Sequence, residues 1–221
     1  MGRNKNASVG QIIRRIHSRE IAPVYALYGG DPFLEDYFIS ELSQTFLESN
    51  GEKIHLALDQ DSEEKLFGEL SAISMFEEKR IIIVREIKKL RSKHGRQELI
   101  QYIQFPNPTI VLLVISDEYD LRNSFLDNIA KHSVLLDLRT PFKEKMQEWV
   151  RYVIKSRNIR ITDEALAHYI HIYGDSTAHV INEIEKTSLM LADEEINEEN
   201  MEHIEGFDRI FQLWHPQDSL G

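Results

Sequence analysis

Gripping a nucleotide phosphate takes backbone N–H groups, a lysine and a hydroxyl at a turn from strand into helix, in the pattern GxxxxGK[ST]. The sequence has such a turn at Gly29-Gly30-Asp31-Pro32-Phe33-Leu34-Glu35-Asp36. No lysine, serine or threonine stands in it. Asp31, Glu35 and Asp36 would repel a triphosphate, and Pro32 has no N–H to offer. The third predicted strand should end in an acidic pair that holds Mg²⁺ and activates water. It ends Val84-Arg85-Glu86, one acid behind a base. An arginine for the γ-phosphate is missing from Gly174-Asp175-Ser176-Thr177. The three departures together argue against ATP hydrolysis. One catalytic alternative survives: a phosphate- or nucleotide-binding enzyme using the 29–36 turn, because helix N-termini bind anions.

Other catalytic patterns are thin. His168 and His171 stand three apart on a predicted helix, with Asp175 four beyond. Such residues can ligate a metal, but a solvent-facing pair on an amphipathic helix needs no metal. There is no GxSxG elbow and no HExxH. With no cysteine, disulfides, thiolate-bound zinc or iron–sulfur clusters and thiol nucleophiles are excluded. No catalytic, metal-binding or cofactor-binding residue is expected.

A binding feature stands out instead. A predicted helix over 62–74 puts Leu66, Phe67, Leu70 and Ile73 on one face. Continued at about 100° per residue, it sets Met75 roughly 180° from Leu66 and Phe76 about 80° off that face. Two large apolar groups just before Glu77-Glu78-Lys79-Arg80 fit an exposed anchor for a partner's pocket. On periodicity alone, the favoured reading is that Phe76 folds back as a staple beneath a sheet. The next stretch, 79–96, carries eight basic residues against the single acid Glu86. It could meet an acidic surface or nucleic-acid phosphate, or be a solvated loop.

The elements that must position these residues follow from periodicity. An amphipathic helix carries Val9, Ile12, Ile13 and Ile16. Strands are predicted at 24–28, 54–58, 80–85, 109–116 and 133–138, with helices at 32–49, 62–74, 96–103 and 121–131 between them. The unbroken apolar runs at 81–84 and 110–115 suit strands buried on both faces. Strands alternating with helices imply a mostly parallel sheet between helical layers. After Arg139 the pattern is helical only, at 141–157, 163–173, 177–192 and 198–205. The expected fold is α/β, a three-layer RecA/AAA-like parallel-sheet domain over 1–140 without a functional phosphate loop. A small all-α lid domain follows over 141–206.

Composition sets outer bounds. With 42% hydrophobic and 29% charged residues, the chain resembles an ordinary soluble globular protein. The basic polar N-terminus has no signal-peptide core, and no apolar run is long enough to span a bilayer. A cytoplasmic protein without membrane partners is expected. A net charge of −11 argues against the whole chain being an electrostatic nucleic-acid binder. The stretch 182–205 holds nine acids against Lys186, so a scaffold using that acidic face is a further alternative.

A set of motifs also resembles a known family. These are Pro23-Val24-Tyr25-Ala26-Leu27-Tyr28-Gly29-Gly30-Asp31-Pro32-Phe33-Leu34, then Leu70-Ser71-Ala72-Ile73-Ser74-Met75-Phe76 followed by Lys79-Arg80-Ile81-Ile82-Ile83-Val84, and Tyr173-Gly174-Asp175 with Ile181-Asn182-Glu183-Ile184-Glu185-Lys186. Their order and spacing, from about residue 9 to 213, resemble the delta subunit family of the bacterial DNA polymerase III clamp loader. The resemblance implies an AAA-type fold that has lost its nucleotide site and opens the ring-shaped sliding clamp, the beta subunit. It implies a clamp-binding site at Ile73, Ser74, Met75 and Phe76, where Met75 replaces the family's usual leucine with a similar volume. Lys88, Lys89, Arg91 and Lys93 become candidate electrostatic contacts to DNA or clamp. The gamma/tau and delta prime loader subunits become expected partners of the full-length protein, within an assembly that meets DNA.

At about 150 residues per domain, 221 residues make one and a half domains. The resembled family continues into a third, helical collar domain. The stretch 207–221 is therefore expected to be the start of that collar in a truncated chain.

Overall fold

A computed structural model of the chain describes residues 8–47, 51–72, 78–116, 123–141 and 143–202. The chain divides into two compact units, Met1–Arg139 and Thr140–Gly221.

In the first unit, helix α1 (Val9–His17) precedes strand β1 (Val24–Tyr28) and helix α2 (Pro32–Phe46). Strand β2 (Glu52–Ala57), helix α3 (Glu63–Ser71) and strand β3 (Arg80–Arg85) follow. Helix α4 (Lys93–Gln104), strand β4 (Ile110–Ser116), helix α5 (Ser124–His132) and strand β5 (Val134–Asp137) complete it. The five strands form one sheet in the order β2-β3-β4-β1-β5, and every pairing is parallel. The crossover from β1 to β2 runs one way along the sheet, and the later ones run back. Right-handed connections therefore place α2 on one face and α3, α4 and α5 on the other.

The strand side chains sort accordingly, because successive residues point to opposite faces. Val24, Ala26, Ile82, Val84, Leu112 and Val114 pack in one cluster with Leu66 and Leu70 of α3, Leu99 and Ile103 of α4, and Leu126 and Ile129 of α5. On the opposite face the Tyr25 ring meets Phe38 of α2 edge-on, with centroids 5.3 Å apart. Ile81, Ile83, Val111 and Leu113 are buried as well, so β3 and β4 are covered on both sides. Val9, Ile12, Ile13 and Ile16 form the buried stripe of α1.

In the second unit, helices α6 (Lys143–Ser156), α7 (Asp163–Tyr173) and α8 (Thr177–Met190) pack around Val150, Val153, Leu166, Tyr169, Ile181 and Ile184. A short helix α9 (Glu198–Glu202) follows. Tyr169 is buried against α8 with its hydroxyl on that of Thr187, and burial pushes its phenol pKa up. One parallel bridge, Ile161 to Ile196, lies in this otherwise helical unit and has no periodic signal in the sequence.

Capping moves several predicted boundaries. Helix α3 ends at Ser71 rather than near 74, because Ala72 is extended (ψ 120°). Helix α4 begins three residues earlier than expected, because the Ser92 hydroxyl accepts from Gly95 N–H at 2.9 Å. The basic loop before it holds a single 3-10 turn, Ile87–Lys89, entered through Glu86 at φ 56°. Ile87 and Leu90 of that turn are buried, which pins the loop to the sheet. Asn123 caps α5, which starts at Ser124 instead of 121.

Leu112 is fully buried in β4. Leu112→Ala should lower unfolding free energy by about 2–5 kcal/mol in a urea titration. Phe105, 80% exposed, should tolerate alanine within about 0.5 kcal/mol.

Candidate functional site

The crevice that binds ligands in open α/β sheets lies beyond the carboxyl ends of the strands, where the strand order reverses. Here that point is the end of β1, between β4 and β5. Gly29 (φ 125°) and Gly30 (φ 72°) turn the chain there. A Cβ on Gly29 would lie 2.3 Å from the Arg139 backbone nitrogen, so the close passage of 138–139 demands glycine.

The N–H groups that could cradle a phosphate are already engaged. Asp31 is 4% exposed. Its Oδ1 accepts from the N–H groups of Phe33 and Leu34, each at 3.1 Å. Asp31 thus caps α2 and sets a carboxylate where an incoming anion would sit.

Next to it the expected charges are exchanged between elements. Glu35, 5% exposed on the first turn of α2, pairs with Arg85 at the end of β3, whose Nη1 donates to Oε2 at 3.2 Å. Phosphate chemistry needs a cation on that helix and an acid on that strand. This chain places the acid on the helix and the base on the strand, and the two neutralise each other. Asp137 of β5 holds Arg139, whose Nε donates to Oδ1 at 2.9 Å. Burial pushes the Asp137 carboxyl up, but the Arg139 guanidinium outweighs it and leaves the pKa below the ordinary carboxylate range.

At the opposite, amino end of the strands, α3 leads toward β3. Ser62 caps α3, and Leu66 and Leu70 face the core. The wheel that phased Met75 and Phe76 against Leu66 does not extend past Ser71, since Ala72 leaves the helix. Ile73, Ser74, Met75 and Phe76 lie outside the described residues. The residues that frame them are described. Arg80, 9% exposed at the start of β3, donates from Nη2 to the Ala72 carbonyl at 2.6 Å. Its Nη1 lies 3.5 Å from the Glu69 carboxylate.

The stretch 79–96, read from sequence as one basic feature, is divided by β3. Lys79 and Arg80 stand at the strand's start and Arg85 to Arg96 beyond its end, about 20 Å away for six extended residues. Its charges are also spent unevenly. Arg80 is buried and Arg85 is paired. Arg96 donates to the Leu90 carbonyl at 2.7 Å and lies 5.1 Å over the Phe125 ring. Lys89, Arg91 and Lys93 are exposed and Lys88 is half-buried. Arg91, Lys93 and Arg96 line one end of a groove of about 520 Å³ between α4 and α5, beside Gln97, Gln101 and Asn128. Sequence reasoning missed the amides. Their signal was the spacing of Gln97, Gln101 and Gln104 along one face of α4.

The histidine pair is not gathered into a site. His168 is half-buried, while His171 and Asp175 are exposed. Among the described residues no group of three His, Cys, Asp or Glu side chains is placed to hold a metal. No helix among them is long and apolar enough to cross a membrane.

Comparison with known proteins adds an independent line. Residues 25–139 match the family model for the DNA polymerase III delta subunit. The chain is 23% identical over 199 residues to DNA polymerase III subunit delta of Bacillus subtilis, covering 85% of this chain and 57% of that protein. It is 25% identical over 174 residues to the probable DNA polymerase III subunit delta of Aquifex aeolicus, covering 74% of this chain and 49% of that protein. The chain thus spans about half the length of the curated relatives it matches. Among solved structures, the Bacillus subtilis DNA clamp loader delta protein superposes with a TM-score of 0.69 at 21% identity, over 89% of this chain and 62% of that one. Thermotoga maritima RuvB, a Holliday junction branch migration motor, superposes with a TM-score of 0.52 at 15% identity, over 87% of this chain and 65% of that one. The fold is therefore the RecA/AAA-like one.

Asp31→Ala should cost about 1 kcal/mol through loss of the cap. At this chain length that lowers the melting temperature by about 2–4 °C in a calorimetric scan. A carboxyl held below its unfolded pKa contributes stability above that pKa and loses it as pH falls through the folded value. Asp137 therefore stabilises the fold above about pH 4, and Asp137→Asn should shrink the acid-induced loss of stability below it.

Proposed function

We propose that this chain, which belongs to the DNA polymerase III delta subunit family, is the clamp-opening arm of a DNA polymerase III clamp loader and hydrolyses no ATP itself. The observation that carries the reading is the exchange of charge between Glu35 and Arg85, beside Asp31 on the α2 N-terminus. A nucleotide-binding architecture is kept while its phosphate site is filled by the chain's own carboxylate. That favours a binding role over a catalytic one. A nucleotide-using enzyme at 29–36 would first have to expel Asp31 from the helix end.

In this reading Met75 and Phe76, flanked by Ile73 and Ser74, enter an apolar pocket on the beta sliding clamp. The arm binds the sprung conformation of a clamp subunit more tightly than the closed ring. It shifts the opening equilibrium only by that difference in affinity. The gamma/tau and delta prime subunits are the proposed loader partners, and the assembly works in the cytoplasm. Lys88, Lys89, Arg91 and Lys93 follow the end of β3 opposite to Arg80. A partner gripped at 73–76 would have to reach about 20 Å to touch them as well. They are better placed for a second ligand, and the basic and amide groups of the α4–α5 groove suit DNA phosphate.

Hot-spot side chains contribute on the order of 2 kcal/mol each. The double variant Met75→Ala, Phe76→Ala should therefore weaken binding to the cognate clamp by about a hundredfold or more, with an unchanged circular-dichroism spectrum. Wild-type affinity in a surface-plasmon measurement would refute the anchor. Charge reversal of Lys89, Arg91 and Lys93 to glutamate should leave clamp affinity intact and weaken DNA retention in a salt-dependent manner. A loss of clamp affinity instead would reassign those residues to the clamp.

A further inference from the structure

Arg80 is an unusual residue to find at the start of a sheet strand. Its backbone N–H is in the sheet region, donating to the Thr109 carbonyl at 2.9 Å. Its side chain turns back under α3, is 9% exposed, and leaves its Nε buried with no hydrogen-bond partner. Burial pushes the Tyr102 phenol at the end of α4 up, while the Asn107 backbone and the Arg80 charge act the other way. A methionine or leucine would fill this space without the desolvation that a buried guanidinium suffers. What the guanidinium achieves is visible in its contacts. It donates to the carbonyl of Ala72, the first residue after α3, and faces Glu69 one turn earlier.

Residue 72 and residue 80 are the two ends of the segment that contains 73–76. One side chain ties one end directly, and the same residue's backbone fixes the other end to β4. Both flanking residues are therefore held before any partner arrives. The C-terminal carbonyls of α3 would otherwise need water or a capping glycine. None of the residues from 71 to 76 is glycine, and the Ala72 carbonyl is held by Arg80 instead.

We infer that Arg80 is a positioning residue for clamp binding: by holding the Ala72 carbonyl and Glu69, it fixes the direction in which the chain leaves α3 and presents 73–76. This rests on the reading of 73–76 as the clamp-binding segment. Arg80 does not touch the clamp. Its effect lies in the direction of the chain at Ala72 before binding.

The test compares four variants of the full chain by clamp affinity, melting temperature and amide hydrogen exchange over 69–80. Arg80→Met removes the donors and keeps the volume. Arg80→Lys keeps the charge and one donor arm. Leu42→Ala, fully buried in α2, is the control for destabilisation alone. The Met75→Ala, Phe76→Ala double variant reports on the anchor itself. Arg80→Met should bind the clamp about tenfold more weakly, with faster exchange confined to 69–80. Arg80→Lys should recover part of that affinity. Leu42→Ala should bind like wild type when assayed well below its melting temperature. If Arg80→Met does not fold, Arg80→Lys carries the comparison, with an expected loss of about threefold against Leu42→Ala. Equal affinity in the Arg80 variant and Leu42→Ala leaves Arg80 a purely structural residue and overturns the inference. Wild-type affinity in the Arg80 variant beside a loss in the double variant overturns the inference and leaves the clamp reading standing. Wild-type affinity in the double variant overturns both.

Discussion

Burial of β3 and β4 on both faces is the constraint from which the rest of the first unit follows. Ile81, Ile82, Ile83 and Val84, like Val111, Leu112 and Leu113, have no side facing water. A strand of that kind is stable only between two helical layers. Parallel pairing then requires crossovers, and their right-handedness divides the helices, with α2 on one face and α3, α4 and α5 on the other. The described loops of this unit gather at the two ends of the sheet, and those two ends are built differently.

At the carboxyl end, a fold suited to nucleotides has been turned to self-neutralisation. Asp31 satisfies the α2 N-terminus, Glu35 and Arg85 satisfy each other, and Arg139 is held by Asp137. The Asp31 and Asp137 contacts are local in sequence, whereas Glu35 and Arg85 meet across fifty residues. Filling the crevice with carboxylates stabilises the turn by the same N–H groups that would otherwise bind phosphate. At the amino end, a buried cation holds a helix terminus. That arrangement is costly in desolvation, and its donors go to the Ala72 carbonyl and toward Glu69.

Much of this was legible in the sequence. The strand at Val24–Tyr28, the cap at Asp31 and proline at the first helical position, and the apolar runs of β3 and β4 all found their predicted places. Each signal is local: a period, a cap or a run. The helix termini were less legible. The α3 wheel runs on past Ser71 because no residue there is a helix breaker, while in the structure Ala72 is extended and its carbonyl accepts from Arg80, eight residues away. The bridge between Ile161 and Ile196 was invisible for the same reason, being a contact between residues far apart in the chain.

The residues on their own determined the layered fold and the absence of a lysine and hydroxyl from the phosphate turn. These depend on residue type and spacing along one element. Only the tertiary structure decided which charges face solvent. Eight basic residues in 79–96 read as one patch, yet β3 carries them to opposite ends of the sheet, buries Arg80 and pairs Arg85 with Glu35 fifty residues earlier. Charge acts through space, and a strand six residues long is enough to send neighbours in sequence to different partners.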